Sequence, residues 1–208
     1  RDHVIAVWVD AEMAQFRICH PCRRIIQAVV AARKVRRTNG QPGEVESDAV
    51  RFRPDHWLLI ENGQIVGAQT ADPGEGWQRH DHRGRLVLPG FVDTHVHMPQ
   101  LDMIASYGTE LLDWLNTYTF PAEMRFADPQ RSHEGAELFA DALLAHGTTS
   151  AVVFATAHKV SADAMFGSAQ RRGMRLITGK VLQDRHSPDG LRDDVEQAER
   201  DCVELIQR

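Results

Sequence analysis

Two histidines at one strand-like end are the residues of this chain best placed to do chemistry. The stretch "GFVDTHVHMPQ", residues 90–100, sets His95 and His97 two apart behind the apolar run "RLVLPGFV". On an extended strand, side chains at i and i+2 face the same way, with Cα atoms roughly 6.5–7 Å apart. Two imidazoles on that spacing can share one divalent ion, at about 2.0–2.1 Å for each Zn–N bond. A bare H-x-H is weak evidence, because surface histidines fall two apart by chance. Its setting strengthens it: an apolar strand opened by Pro-Gly, Asp93 two residues ahead of the pair, and a chain that turns at Pro99. In parallel β/α architectures, chemistry gathers at the C-terminal ends of strands.

The elements that must hold this pair are legible around it. "WLLIENGQIVGAQ" (57–69) predicts two short strands around Asn62-Gly63, a type I′ hairpin signal. Residues 72–84, "DPGEGWQRHDHRG", read as loop. "RLVLPGFVDTH" (85–95) predicts a strand too apolar on both sides to lie at an edge. "TELLDWLNTY" carries Leu111, Leu112, Trp114, Leu115 and Tyr118 at helical spacing and is expected to stop before Pro121. Asp128-Pro129 opens a helix, as N-cap and first-turn residue, that runs to Gly147. A strand at 148–157, a helix closing on Gly173, a strand at 174–184 and a last helix over 189–207 complete the pattern. Alternating strand and helix is the mark of parallel β/α units.

The bulk composition excludes several classes. The chain has 208 residues, a formal net charge of −5, and 42% apolar and 25% charged residues. That balance gives no reason to expect nucleic acid or an anionic membrane as partner. No apolar run approaches the ~18–20 residues that cross a bilayer, and the first residues lack a signal-peptide pattern. Three cysteines argue against a disulfide framework and for a reducing, cytoplasmic setting. Residues 1–50 are atypical: from Arg17 to Gly43 there are six arginines and one lysine and no acidic residue, and no structure is assigned to them. "CHPC" (19–22) is a lone C-x-x-C, weak as a zinc or redox signal.

"PGFVDTHVH" resembles the first-strand signature of the amidohydrolase superfamily. "HVHMPQ", "YGTELLDWLNTYTFPAE" and "GTTSAVVFATAH" resemble the guanine deaminases within it, over residues 54–208. The resemblance implies an α/β fold: the first three units of a (β/α)8 TIM-like barrel over 89–208, and part of a small flanking β-sandwich over 51–88. It implies one Zn(2+) per complete site with His95 and His97 as ligands, and Gln100 touching the purine beside His97. It also implies hydrolytic deamination of guanine to xanthine and ammonia by a cytoplasmic enzyme that is a homo-oligomer, expected to be a dimer. The alternatives are another amidohydrolase acting on a cyclic amidine or chlorotriazine, and a non-catalytic barrel-derived binding module.

Two histidines do not close a catalytic zinc site, which takes about three protein ligands plus water. Roughly 120 residues from Pro89 hold three β/α units, where a full barrel has eight in about 250 residues. The chain alone is therefore expected to be inactive, with no catalytic acid of its own. Other groups have plainer readings. His146 is expected to serve a helix C-terminus, His158 to shape the rim after the second barrel strand, and Lys180 to be structural. Asp93 is expected to fix backbone or a histidine tautomer, and Trp114 and Tyr118 to be core.

Overall fold

The computed structural model describes residues 4–9, 53 and 55–207. They fall into two compact units, divided between Pro89 and Gly90. The "CHPC" motif and the arginine-rich segment lie outside the described residues.

The first unit is a mixed four-stranded sheet in the order β3-β2-β1-β4. Strands β2 (His56–Glu61) and β3 (Gln64–Gln69) form the expected hairpin. Asn62 and Gly63 turn it with φ of +50° and +75°, the two positive values that a type I′ turn requires. The strand β1 (Val4–Val9) lies inside the sheet, antiparallel to β2 and parallel to β4. It falls within the fifty residues to which the sequence assigned no structure. The expectation that 72–84 is all loop is corrected too, since Gln78–Asp81 forms β4. All four of its residues are exposed, so no in–out alternation marks it. Its pairing is a matter of backbone alone.

The second unit is built on a parallel three-stranded sheet, β5-β6-β7, from Phe91–His97, Thr148–Phe154 and Arg175–Gly179. Each strand is shorter than the apolar run that announced it. Residues 85–90 are not strand, and β5 begins after the Pro89 ring, which offers no N–H to a ladder. The first backbone bond of the strand runs from Phe91 N–H to Gly147 O (2.8 Å). Within the described residues β5 is an edge, with Phe91 and Val92 52% and 67% exposed, against the expectation of an interior strand. The seventh strand leaves Ile177 exposed likewise.

The helices follow their caps. The helix α3 (Pro129–Ala145) starts with Asp128 Oδ1 accepting from Gln130 N–H, and α4 (Lys159–Arg172) ends on Gly173 at φ +65°. The helix α5 is Val195–Ile206, six residues later than its sequence signal, because Asp194 supplies the N-cap and accepts from Gln197 N–H. Ahead of α3 the expected single helix does not stop before Pro121. α1 (Leu111–Trp114) passes into a π-turn over Leu115–Thr119 and then α2 (Phe120–Met124). The wide turn carries Phe120 N–H to Leu115 O, and Pro121 enters where a missing N–H costs least. That change of pitch rotates the faces. Leu111 and Leu112 are exposed, Trp114 and Tyr118 half-buried, and Thr119, Ala122 and Glu123 buried.

The core lies between the sheet and α3–α4, around Met98, Phe126, Phe139, Val153 and Met165, with alanines between them. Small residues let the helices approach closely, and Ser168 Oγ reaches Ala136 O at 3.2 Å. Gly90 is small for a stricter reason. A Cβ there would stand 2.0 Å from Thr149 Oγ1 and 2.7 Å from Thr149 Cβ, which no rotamer relieves. Gly90→Ala is expected to lower stability by about 1–3 kcal/mol by prising β5 from β6. Denaturant unfolding of the intact protein checks this. The apolar side chains left exposed on β5, β7, α1 and α5 predict that the 208-residue polypeptide alone binds anilinonaphthalene sulfonate and self-associates. Dye fluorescence and light scattering measure both.

Candidate metal centre at the end of β5

Alternation along β5 divides its last residues between core and rim. Val96 packs against the core and Met98 is 1% exposed within it, while His95 and His97 take the other side. The strand is not regular here. Asp93 pairs with Ala151 and Val96 with Val153, so Thr94 and His95 share a single residue's length of β6. Such a bulge re-aims the side chains next to it. The His95 N–H that it frees from the ladder is taken by Asp93 Oδ1 at 3.0 Å. This is the backbone-fixing role read for Asp93 from the sequence.

The two imidazoles converge. Nε2 of His95 and Nε2 of His97 are 3.1 Å apart, with ring centroids 5.0 Å apart and planes inclined by 57°. Phe154, at the end of β6 and paired with His97, stacks on the His97 ring at 4.7 Å and 11° and touches His95 at 4.8 Å. One tetrahedral ion with bonds of about 2.0–2.1 Å holds two nitrogens roughly 3.3–3.4 Å apart. The observed separation is close to that. Burial, and then the neighbouring His95, push the pKa of His97 down, which favours the neutral ring a metal needs. The donor set fits one borderline-soft divalent ion. Among the described residues no third histidine, cysteine, aspartate or glutamate joins the pair.

Gln100 stands three residues past His97, half-buried in the 3-10 turn Met98–Met103. Buried Met98, Pro99 and Met103 anchor that turn, and Asp102 is ion-paired to Arg131. The other candidates take the plainer roles. His146 caps α3, its Nδ1 donating to Ala142 O at 2.7 Å. His158 sits at the N-terminus of α4 with Nε2 buried and without a hydrogen-bond partner, and burial followed by the Lys180 charge pushes its pKa down. Lys180 is structural in placement: its side chain is 1% exposed and ion-paired with Asp193.

One group went unnoticed in the sequence. Glu123, on α2, is 7% exposed, and burial pushes its pKa up to about 7, opposed by a hydrogen bond with Gln183. The signal available was a glutamate on the buried face of "TFPAE", visible only once the π-turn has set that face.

With this geometry in view, the relationships of the chain are plain. A model of the amidohydrolase family matches residues 86–208, more than half of the sequence. The chain belongs to the amidohydrolase family. Among amidohydrolases it is 43% identical, over 179 residues, to the guanine deaminase of Escherichia coli (strain K12), a match covering 84% of this chain and 40% of that protein. The solved structure of E. coli guanine deaminase superposes with a TM-score of 0.72 at 36% identity, over 99% of this chain and 43% of that one. The guanine deaminase from Bradyrhizobium japonicum gives 0.71 at 34% identity, over 76% of this chain and 35% of that one. The chain thus spans about two fifths of the length of the E. coli relative.

Glu123 generates a test of its own. A carboxyl held at about 7 in the folded state, against an ordinary 4.5, favours folding fully below pH 4.5, and that contribution is lost as pH rises through 7. Glu123→Gln is expected to flatten the fall in stability between pH 5 and 8, by on the order of 2–3 kcal/mol. Denaturant titrations of the intact protein across that range measure it.

Proposed function

We propose that the intact protein carrying this chain is a zinc-dependent guanine deaminase, releasing ammonia from guanine and leaving xanthine. The convergent Nε2 pair of His95 and His97 at the end of β5 carries the reading, and the similarity to the guanine deaminases of E. coli and B. japonicum supports it. In this reading residues 89–208 form the first three units of a (β/α)8 barrel, and residues 51–88 belong to a flanking β-sandwich. The complete enzyme is a cytoplasmic homodimer. In the described part, no helix is long and apolar enough to cross a membrane.

His95 and His97 would hold the zinc ion from one side. When bound, the ion lowers the pKa of water to about 7, worth on the order of 12 kcal/mol at neutral pH. The chain's own residues arrange the reactants. Asp93 holds the bulge, and with it the position of the His95 backbone. Phe154 keeps the His97 ring in one plane and presents an apolar surface that excludes water from that side. Gln100 has both a donor and an acceptor in its amide, which matches the lactam edge of guanine. Its place, one 3-10 turn beyond His97, sets purine recognition and metal binding on one continuous segment. The remaining ligands and the carboxyl that moves the proton to the departing amine belong to residues beyond the described pair.

Steady-state ammonia release by the intact protein on guanine, adenine, cytosine and a chlorotriazine tests the reading. Turnover of guanine is expected to dominate. Preference for another substrate, or none, overturns it. Chelation is expected to abolish turnover and added zinc to restore it. His95→Ala and His97→Ala are each expected to cut turnover by more than about a hundredfold and to lower bound zinc, measured by emission spectroscopy.

A further inference from the structure

The segment that follows β7 is tied down by buried and half-buried polar groups. The side chain of Lys180 is 1% exposed and its ammonium is satisfied on three sides: by Asp193 Oδ1, by Ala157 O at 2.5 Å and by Val181 O at 3.3 Å. Three donors meet three acceptors, which is what makes a buried ammonium tolerable. The second oxygen of Asp193 accepts from Gln183 N–H at 2.8 Å, and Asp193 N–H donates to Gln183 O at 2.7 Å. Gln183 also lies within reach of the Glu123 carboxyl on α2, where it offsets part of the effect of burial. Leu191, 2% exposed, seats the same segment, and Gly190 lies close enough to α2 that a Cβ there would be 2.9 Å from Met124 Sδ.

These contacts join the loops after all three strands. Glu123 represents the connection after β5, Ala157 the loop after β6, and Lys180 to Asp193 the loop after β7. The helix α2 packs against the turn Met98–Met103, and Thr119, the last residue of the π-turn that leads into α2, meets Met103 Sδ through its Oγ1 at 3.7 Å. That turn carries Gln100. The Lys180 ammonium at its centre has each of its three donors satisfied, which stiffens such a network, and among the described residues no hydrogen bond joins it to His95 or His97.

We propose that Lys180, Asp193, Gln183 and Glu123 form a positioning network that locks the three strand-end loops together and so fixes where the Gln100 turn stands beside the histidine pair. Its functional consequence rests on the guanine deaminase reading. The network acts on substrate placement and leaves metal binding alone.

The test uses the intact protein and two kinds of variant. In Lys180→Met/Asp193→Leu the ion pair is replaced by apolar groups of similar volume, a change that buried pairs often tolerate in stability. Glu123→Gln keeps the bond to Gln183, whereas Glu123→Leu removes it. The double variant and Glu123→Leu are expected to retain parental zinc content, to raise KM for guanine about tenfold while kcat changes less than about threefold, and to speed amide exchange in residues 98–103. Glu123→Gln is expected to match the parent in KM and exchange. Faster exchange confined to 180–194 with parental KM reduces the network to local stability and overturns the proposal, and so does loss of zinc in step with activity. Should the double variant fail to fold, the two Glu123 variants decide the matter. Should the parent not act on guanine, the functional reading falls, while hydrogen exchange in residues 98–103 still decides the positioning claim.

Discussion

A polar site at the end of a buried strand depends on one constraint: the residues that anchor the strand and those that face the ligand must be interleaved. At the end of β5 this is met by Val96, and by Met98 just past the strand, entering the core while His95 and His97 face the rim. The anchoring is apolar and non-directional, and burying a side chain the size of methionine stabilises by about 1.5–3 kcal/mol. The paired imidazoles are directional groups and need small corrections to converge. The bulge at Thr94–His95, closed by Asp93, provides one, and the stack of Phe154 on His97 provides another. Removing either would leave the histidines on the right side of the strand while loosening their aim.

The sequence disclosed features whose cause is local. The histidine spacing is one, since a period of two survives any surroundings. Asn62-Gly63, Asp128-Pro129 and Gly173 are others, each a residue type that a particular turn or cap requires. The sequence did not disclose features whose cause is a neighbour. The strand β1 is recognised by its ladder partners on both sides, and β4 only by its backbone. Of the five residues at helical spacing, Trp114, Leu115 and Tyr118 are partly buried and Leu111 and Leu112 exposed, because the π-turn ahead of Pro121 moves full burial on to Thr119, Ala122 and Glu123. The apolar stretch at 85–90 looked like strand because hydrophobicity does not report hydrogen bonding. The interior position expected for β5 failed on a related point: its apolar residues are exposed at the edge of the described sheet.

The rim buries ionisable groups in three different ways, and the differences follow from the partners available. His97 meets another imidazole and an aromatic face, so burial favours its neutral form. Glu123 meets one amide, which offsets only part of its desolvation, so burial holds its carboxyl well above the usual range, at about 7. Lys180 meets a carboxylate and two carbonyls, one acceptor for each of its three donors. Removing one member of such a set leaves an uncompensated charge and costs more than the set contributes as a whole. That asymmetry makes a complete network rigid. The Lys180 set therefore ties the loop after β7 to the loop after β6 by directional bonds, in addition to the apolar seating that Leu191 and Ala157 provide.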